Sequence, residues 1–220
     1  AVGALTYAHR IELNRIDVQE IPVPLRQLDP AFDGYTIAQI SDIHMGGSMT
    51  PARLAAAIAV VNRYEPDVIA ITGDFATRRL PLNVSDLITP LCQLRAKDAL
   101  FAVLGNHDYR NARAAVRLAI RSTELTPLHN AVQTIRRGDA VLHFAGVESV
   151  ILHRARLDRV LDMLPADGPA ILLAHEPDFA LVAAATRRFA LQLSGHSHGG
   201  QVRLPFAARF VLPSFARRYV

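Results

Sequence analysis

Short apolar runs alternate with longer amphipathic stretches along most of the chain. The runs YTIAQIS (35–41), DVIAITG (67–73), ALFAVLG (99–105), PAILLAH (169–175) and FALQLSG (189–195) are bounded by polar or turn-forming residues. Their length and bulky apolar content predict buried strands. Between them, TPARLAAAIAVVNRYEP (50–66) predicts a helix with Thr50 as N-cap and Pro51 at the first helical position, ending before Pro66. VSDLITPLCQLRA (84–96) predicts a helix bent or started by Pro90. NARAAVRLAIRST (111–123), ARLDRVLDMLP (155–165) and DFALVAAATRR (178–188) predict three more. AVQTIRRGDAVLHFAGVES (131–149) reads as two strands around a turn at Gly138–Asp139. Strands alternating with helices predict an α/β fold of central sheets covered by helices. RIELNRIDVQEIPVP, ahead of this pattern, suggests an edge strand and then a linker, so residues 1–34 are set apart from one domain over 35–220.

Composition narrows the class. With 220 residues, half of them hydrophobic, the chain can bury a sizeable core and is not a disordered segment. No apolar run approaches the ~18 residues that span a bilayer, and no complete signal peptide is present. The start at AVGALTYAHR, without Met, reads as a cut point. A single cysteine, Cys92, excludes an internal disulfide framework and a cysteine-based zinc site, and is expected as a small core residue. The net charge of +4 rests mainly on arginine, with clusters in NARAAVRLAIR and FARRYV. Such clusters attract phosphates, anionic lipid or nucleic acid. No aromatic residues interleave with them as in a base-stacking surface, which argues against a nucleic-acid partner and for a solvated helix face plus a basic tail.

The polar residues that follow the strands carry the candidate chemistry. Asp42 and His44 follow the first run, Asp74 the second, Asn106, His107 and Asp108 the third, His175 the fourth, and His196 and His198 the fifth. In open α/β sheets, ligands bind outside the carboxyl ends of strands, so residues far apart in sequence converge there. Singly, each could cap a turn. Jointly, carboxylate, amide oxygen and imidazole suit Mn²⁺, Fe, Zn²⁺ or Co²⁺. A carboxylate can also bridge two ions that clamp an in-line displacement at phosphorus. His9, His129, His143 and His153 fit no such pattern and are expected at the surface or as satisfied core residues.

Asp-x-His, Gly-Asp, Gly-Asn-His-Asp, a lone His and Gly-His-x-His, in this order over residues 35–204, resemble the calcineurin-like metallophosphoesterase superfamily. AFDGYTIAQISDIHMG, LLAHEPD and SGHSHGGQVRLP resemble its bacterial branch of membrane-associated or exported phosphodiesterases and UDP-2,3-diacylglucosamine pyrophosphatases. The resemblance implies an α/β/β/α sandwich with mixed central sheets and two divalent cations. Asp42, His44 and His198 would hold the first and Asn106, His175 and His196 the second, with Asp74 bridging them. It further implies in-line attack by a bridging hydroxide on a phosphodiester or pyrophosphate. His107 would stabilise charge or protonate the leaving oxygen, and Asp108 would orient His107 by a hydrogen bond. The implied partner is a phosphorylated small molecule or a lipid-linked substrate, with peripheral membrane contact. The implied location is the bacterial envelope, otherwise the cytoplasm. GDFATRR lacks a second acidic residue three positions on, Arg110 follows GNHDY, and GVESV replaces an acidic pair. The chain stops at Val220, where that branch continues, so the family's C-terminal strands are expected to be missing. A non-catalytic metal- or phosphate-binding scaffold and a nuclease stand as alternatives.

Overall fold

A computed structural model describes residues 16–25, 27–46, 48–77, 83–200 and 212–219, the Asn111 side chain excepted. Within them, the apolar runs form two four-stranded sheets. In the first, β1 (Ile37–Ile40), β2 (Val68–Ile71), β3 (Ala99–Ala102) and β4 (Thr126–Pro127) lie side by side, all parallel. In the second, β5 (Ala131–Arg137) and β6 (Ala140–Gly146) form the expected antiparallel hairpin, and β7 (Ala170–Leu173) and β8 (Leu191–Leu193) follow in parallel. Only the second sheet is therefore mixed. The α-helices among the described residues are α1 (Pro51–Arg63), α2 (Ser85–Leu91), α3 (Asp108–Asn111), α4 (Arg113–Arg121), α5 (Leu157–Met163) and α6 (Ala180–Ala185).

Alternation along the strands sorts the apolar side chains into three layers. Val68, Ala70, Phe101 and Val103 meet Leu142, Phe144, Ile171 and Leu173 between the sheets. Ile69, Ile71 and Leu100 face the other way and pack with Leu54 and Ile58 of α1, Leu87 of α2 and Val116 of α4. On the outer face of the second sheet, Ala145 and Leu172 pack with Val160 of α5 and Ala183 of α6. The result is the expected helix–sheet–sheet–helix sandwich.

α1 begins as its sequence dictates: the Thr50 side chain accepts the Arg53 N–H at 3.3 Å, and Pro51 occupies the first turn. α2 departs from expectation. Pro90 lies inside it, near its end, and the helix stops at Leu91 instead of running to residue 96. Cys92 consequently falls just past the last turn and is exposed, which corrects its reading as a core residue. The core also begins before residue 35, because Phe32 is fully buried between the sheets. Residues 16–25 carry no regular secondary structure, and residues 10–15 of the expected edge strand lie outside the described residues.

Asp67 ties the sheets together at the end where β1 and β2 begin. Its carboxylate accepts the Thr36 N–H at 2.7 Å and the Thr36 hydroxyl at 2.9 Å, and meets Arg137 of β5 at 2.9 Å. Burial opposes its ionisation, but these hydrogen bonds and Lys97 hold its pKa below the ordinary 3.8. A depressed carboxyl pKa stabilises the fold above pH 3.8 and loses that contribution as pH falls through the folded value. Asp67→Asn is therefore expected to destabilise by about 1–3 kcal/mol at pH 7, with a smaller gap at pH 3. Urea melts at both pH values measure this, and an equal gap at both would refute it.

Candidate metal centre

All five expected loops leave the carboxyl ends of β1, β2, β3, β7 and β8, and the two sheets bring those ends face to face. β8 abuts β1, where Gln39 Nε2 donates to the Ser194 carbonyl at 2.6 Å. β7 stands over β2, where His175 Nδ1 meets the Thr72 carbonyl at 2.7 Å. β6 stands over β3, with the Phe101 and Phe144 rings 4.9 Å apart. The polar residues thus line one rim.

Along this rim three clusters share members: Asp42–His44–His198, His44–Asp74–His107 and Asp74–His175–His196. His44 Nε2 lies 3.1 Å from His198 Nε2, 3.8 Å from Asp42 Oδ1 and 3.6 Å from Asp74 Oδ2. His175 Nε2 lies 3.3 Å from Asp74 Oδ2. Ligands held at ~2.0–2.2 Å from one ion lie about 3–3.5 Å from each other, so these spacings suit cations between the side chains. Orphaned atoms point the same way. Asn106 Oδ1, His107 Nδ1 and His175 Nε2 are buried without a hydrogen-bond partner, although buried polar groups are normally paired.

The backbone is bent to present these side chains. Asp42, His44, Asp74, His196 and His198 have φ of 52, 47, 55, 67 and 50°, the left-handed region that residues other than glycine seldom adopt. Backbone hydrogen bonds hold the bends: Asp42 N–H donates to the Gly73 carbonyl and His44 N–H to that of Asp74. Glycines admit the close approaches. A Cβ on Gly105 would lie 2.1 Å from Asp74 Oδ1.

Hydrogen bonds also set which imidazole nitrogen is available. A carbonyl can only accept, so His175 donates from Nδ1 to Thr72 and His196 donates from Nε2 to the Ser214 carbonyl at 2.9 Å. The free lone pairs are then Nε2 of His175 and Nδ1 of His196. Burial, together with His107 and His198, lowers the His44 pKa, and burial with His175 lowers that of His196, keeping both rings in the neutral form that binds cations. His175 behaves differently. Burial alone would lower its pKa, but the Asp74 carboxylate overcomes this and lifts it to about 9. Burial would raise Asp74, but the facing His175 holds it at about 2.

The Asp108 oxygens accept from backbone groups and not from the His107 ring, whose Nδ1 is buried without a hydrogen-bond partner. Asp108 is fully buried, and its two oxygens accept the N–H groups of Gly105 at 2.9 Å and Ala76 at 3.1 Å. It therefore ties the loop after β3 to the loop after β2. Burial and then the Asp74 charge push its carboxyl up to about 7, against those two donors. His107 is set instead by its own N–H, which donates to Asp74 Oδ1 at 2.9 Å, and by edge-to-face contact with the His44 ring.

Sequence reasoning passed over Glu176, which is fully buried and accepts the Ser149 hydroxyl and the Val150 N–H. It fixes the loop after β6 beside His175. The only signal was an acidic residue between a candidate ligand and a proline. Of the four set-aside histidines, His143 is buried and satisfied by Thr134 and the Asp167 carbonyl, as expected. His153 is exposed, His129 is half-buried, and His9 lies outside the described residues.

Residues 35–200 match the family model for calcineurin-like phosphoesterases. The chain is 31% identical to YkuE of Bacillus subtilis, an uncharacterized metallophosphoesterase, over 100% of this chain and 79% of that protein. It is 34% identical to a bovine transmembrane protein with a metallophosphoesterase domain, over 92% of this chain and 49% of that one. It is 27% identical to phosphodiesterase YaeI of Escherichia coli, over 84% of this chain and 68% of that one. The fold resembles the NAD nucleotidase of Haemophilus influenzae, with a TM-score of 0.50 and 13% identity, covering 74% of this chain and 38% of that structure. A rim of histidine and aspartate clusters, a two-sheet sandwich and a family match over residues 35–200 agree: the chain belongs to the calcineurin-like phosphoesterase family and is a metallophosphoesterase.

Proposed function

We propose that the protein is a dinuclear-metal hydrolase of phosphodiester or pyrophosphate bonds. The observation that carries this reading is Asp74, whose carboxylate belongs to two donor clusters at once. Asp42, His44 and His198 hold one divalent cation, Asn106, His175 and His196 the other, and Asp74 faces both. Such a pair supplies Lewis-acid charge neutralisation and a water acidic enough to act as nucleophile near neutral pH. His107, on the same rim, faces the phosphoryl group and stabilises its charge or protonates the leaving oxygen. Asp108 holds the loops after β2 and β3 together.

The residues next to His107 in sequence bear on the substrate class. Arg113 and Arg154 lie 5.0 and 4.9 Å from the ring centroid of Tyr109. Neither forms an ion pair among the described residues, and Arg113 Nε is buried without a hydrogen-bond partner. Two guanidiniums against Tyr109, whose ring follows His107 by two residues and whose hydroxyl donates to Glu148, favour a substrate with a second anionic group, such as a nucleotide- or lipid-linked diphosphate. YaeI bears the name phosphodiesterase, and the bovine relative is named as a transmembrane protein. We place this protein's substrate at the cell envelope on that basis. No helix among the described residues is long and apolar enough to cross a membrane.

The test is hydrolysis of bis-p-nitrophenyl phosphate by chelator-stripped protein, given back Mn²⁺, beside His196→Ala. Turnover is expected to return with metal and to fall by about 10²–10³-fold in the variant. A folded wild-type protein that is inactive with each of Mn²⁺, Zn²⁺, Co²⁺ and Mg²⁺ would sink the reading.

A further inference from the structure

The segment 212–219 folds back onto the rim, and its Ser214 carbonyl is the group that accepts from His196 Nε2 at 2.9 Å. A main-chain carbonyl can orient a ring only if the chain carrying it is held. Asp178, in the short 3₁₀ turn Pro177–Phe179 just after His175, makes four hydrogen bonds to this segment. Its N–H donates to the Phe215 carbonyl at 2.9 Å. Its Oδ2 accepts the Arg217 N–H, and its Oδ1 accepts the N–H groups of Arg218 and Tyr219, each at 3.0 Å. These bonds bracket Ala216, which is fully buried, and Phe215, whose φ of 66° is unfavourable for an aromatic residue and has to be held.

We propose that Asp178 is a positioning residue: it fixes the Ser214 carbonyl against His196 and so determines which imidazole nitrogen faces the candidate metal centre. With the carbonyl in place, the proton must sit on Nε2, and Nδ1 keeps its lone pair. Without it, the ring is free to exchange tautomers and to turn. Groups that orient a metal-bound histidine in this way typically contribute 10–100-fold in metal affinity. The proposal rests on His196 being a cation ligand, but its first consequence, the tautomer, does not.

The experiment uses the full chain, Asp178→Ala and the more conservative Asp178→Asn, in which one oxygen can still accept two of the three N–H groups. Imidazole ¹⁵N shifts of the metal-free proteins report the His196 tautomer, Co²⁺ titration of chelator-stripped protein reports affinity at each site, and thermal melts report stability. The wild type is expected to hold the Nε2–H tautomer and Asp178→Ala to show a mixture. One Co²⁺ equivalent should weaken by about 10–100-fold in Asp178→Ala, less in Asp178→Asn, while the equivalent held by Asp42, His44 and His198 stays near wild type. If Asp178 only stabilises a surface turn, the melting temperature falls while tautomer and both affinities stay unchanged, and the proposal is overturned. A wild type that binds no Co²⁺ refutes the dinuclear reading instead, leaving the tautomer comparison to decide the role of Asp178.

Discussion

Asp74→Asn is expected to abolish metal-dependent turnover, lowering kcat/KM by at least about 10³-fold, while leaving the protein folded. The hydrogen bonds around the side chain dictate why this near-isosteric change is so damaging. Asp74 Oδ1 accepts the His107 N–H at 2.9 Å. An asparagine must keep its oxygen there, because an NH₂ would oppose another donor. The NH₂ is then forced into the place of Oδ2, which lies 3.6 Å from His44 Nε2 and 3.3 Å from His175 Nε2. A neutral donor replaces the anionic acceptor that the two clusters share, so both cation sites lose charge and one acquires a hydrogen aimed at the ion. Metal analysis of the purified variant should show fewer than two equivalents per chain, and circular dichroism should match wild type. Two tightly bound equivalents with undiminished turnover would show that Asp74 is not the shared ligand.

Gly195→Ala is expected to impair both stability and cation binding, and it acts through space alone. A Cβ at this position would lie 1.8 Å from Ser41 Oγ and 2.5 Å from Asp42 Oδ2. Either the loop after β8 moves away from β1, or Asp42 turns. Both outcomes break the hydrogen bonds from the His196 N–H to the Asp42 carboxylate, at 2.9 and 3.1 Å. The overpacking is expected to lower stability by about 1–3 kcal/mol, and the displaced ligand to weaken cation binding by about 10–100-fold. Pairing it with Ser41→Ala removes the nearer clash but not the contact with Asp42. Stability should partly recover in the double variant while metal binding stays impaired. Recovery of both together would mean that the glycine serves only to accommodate the serine.

The sequence exposes the sandwich and the rim because both depend on local order. A parallel strand followed by a helix shows as an apolar run and then an amphipathic one. What stands between them, such as Asp42, Asp74 and His175, must sit at a carboxyl end. The partner of each polar group is not local. Asp108 looked like a companion of its neighbour His107, yet its oxygens are bound to the backbone of Gly105 and of Ala76 in another loop. The grip of Asp178 on residues 217–219 runs mostly through main-chain N–H groups, which every residue but proline carries and no side-chain pattern encodes. Two-residue β4 and the buried Phe32 were missed for a related reason, since each is too short a signal to show a period.

The five left-handed residues of the rim bear on how such a protein changes over evolutionary time. Each non-glycine residue in that conformation costs of the order of 1–3 kcal/mol, and this cost falls on the folded chain whether or not it turns over substrate. A lineage released from selection for hydrolysis can exchange His44 or His198 for glycine and fold more stably than its ancestor. Loss of catalysis is then a downhill step, and a return to it an uphill one.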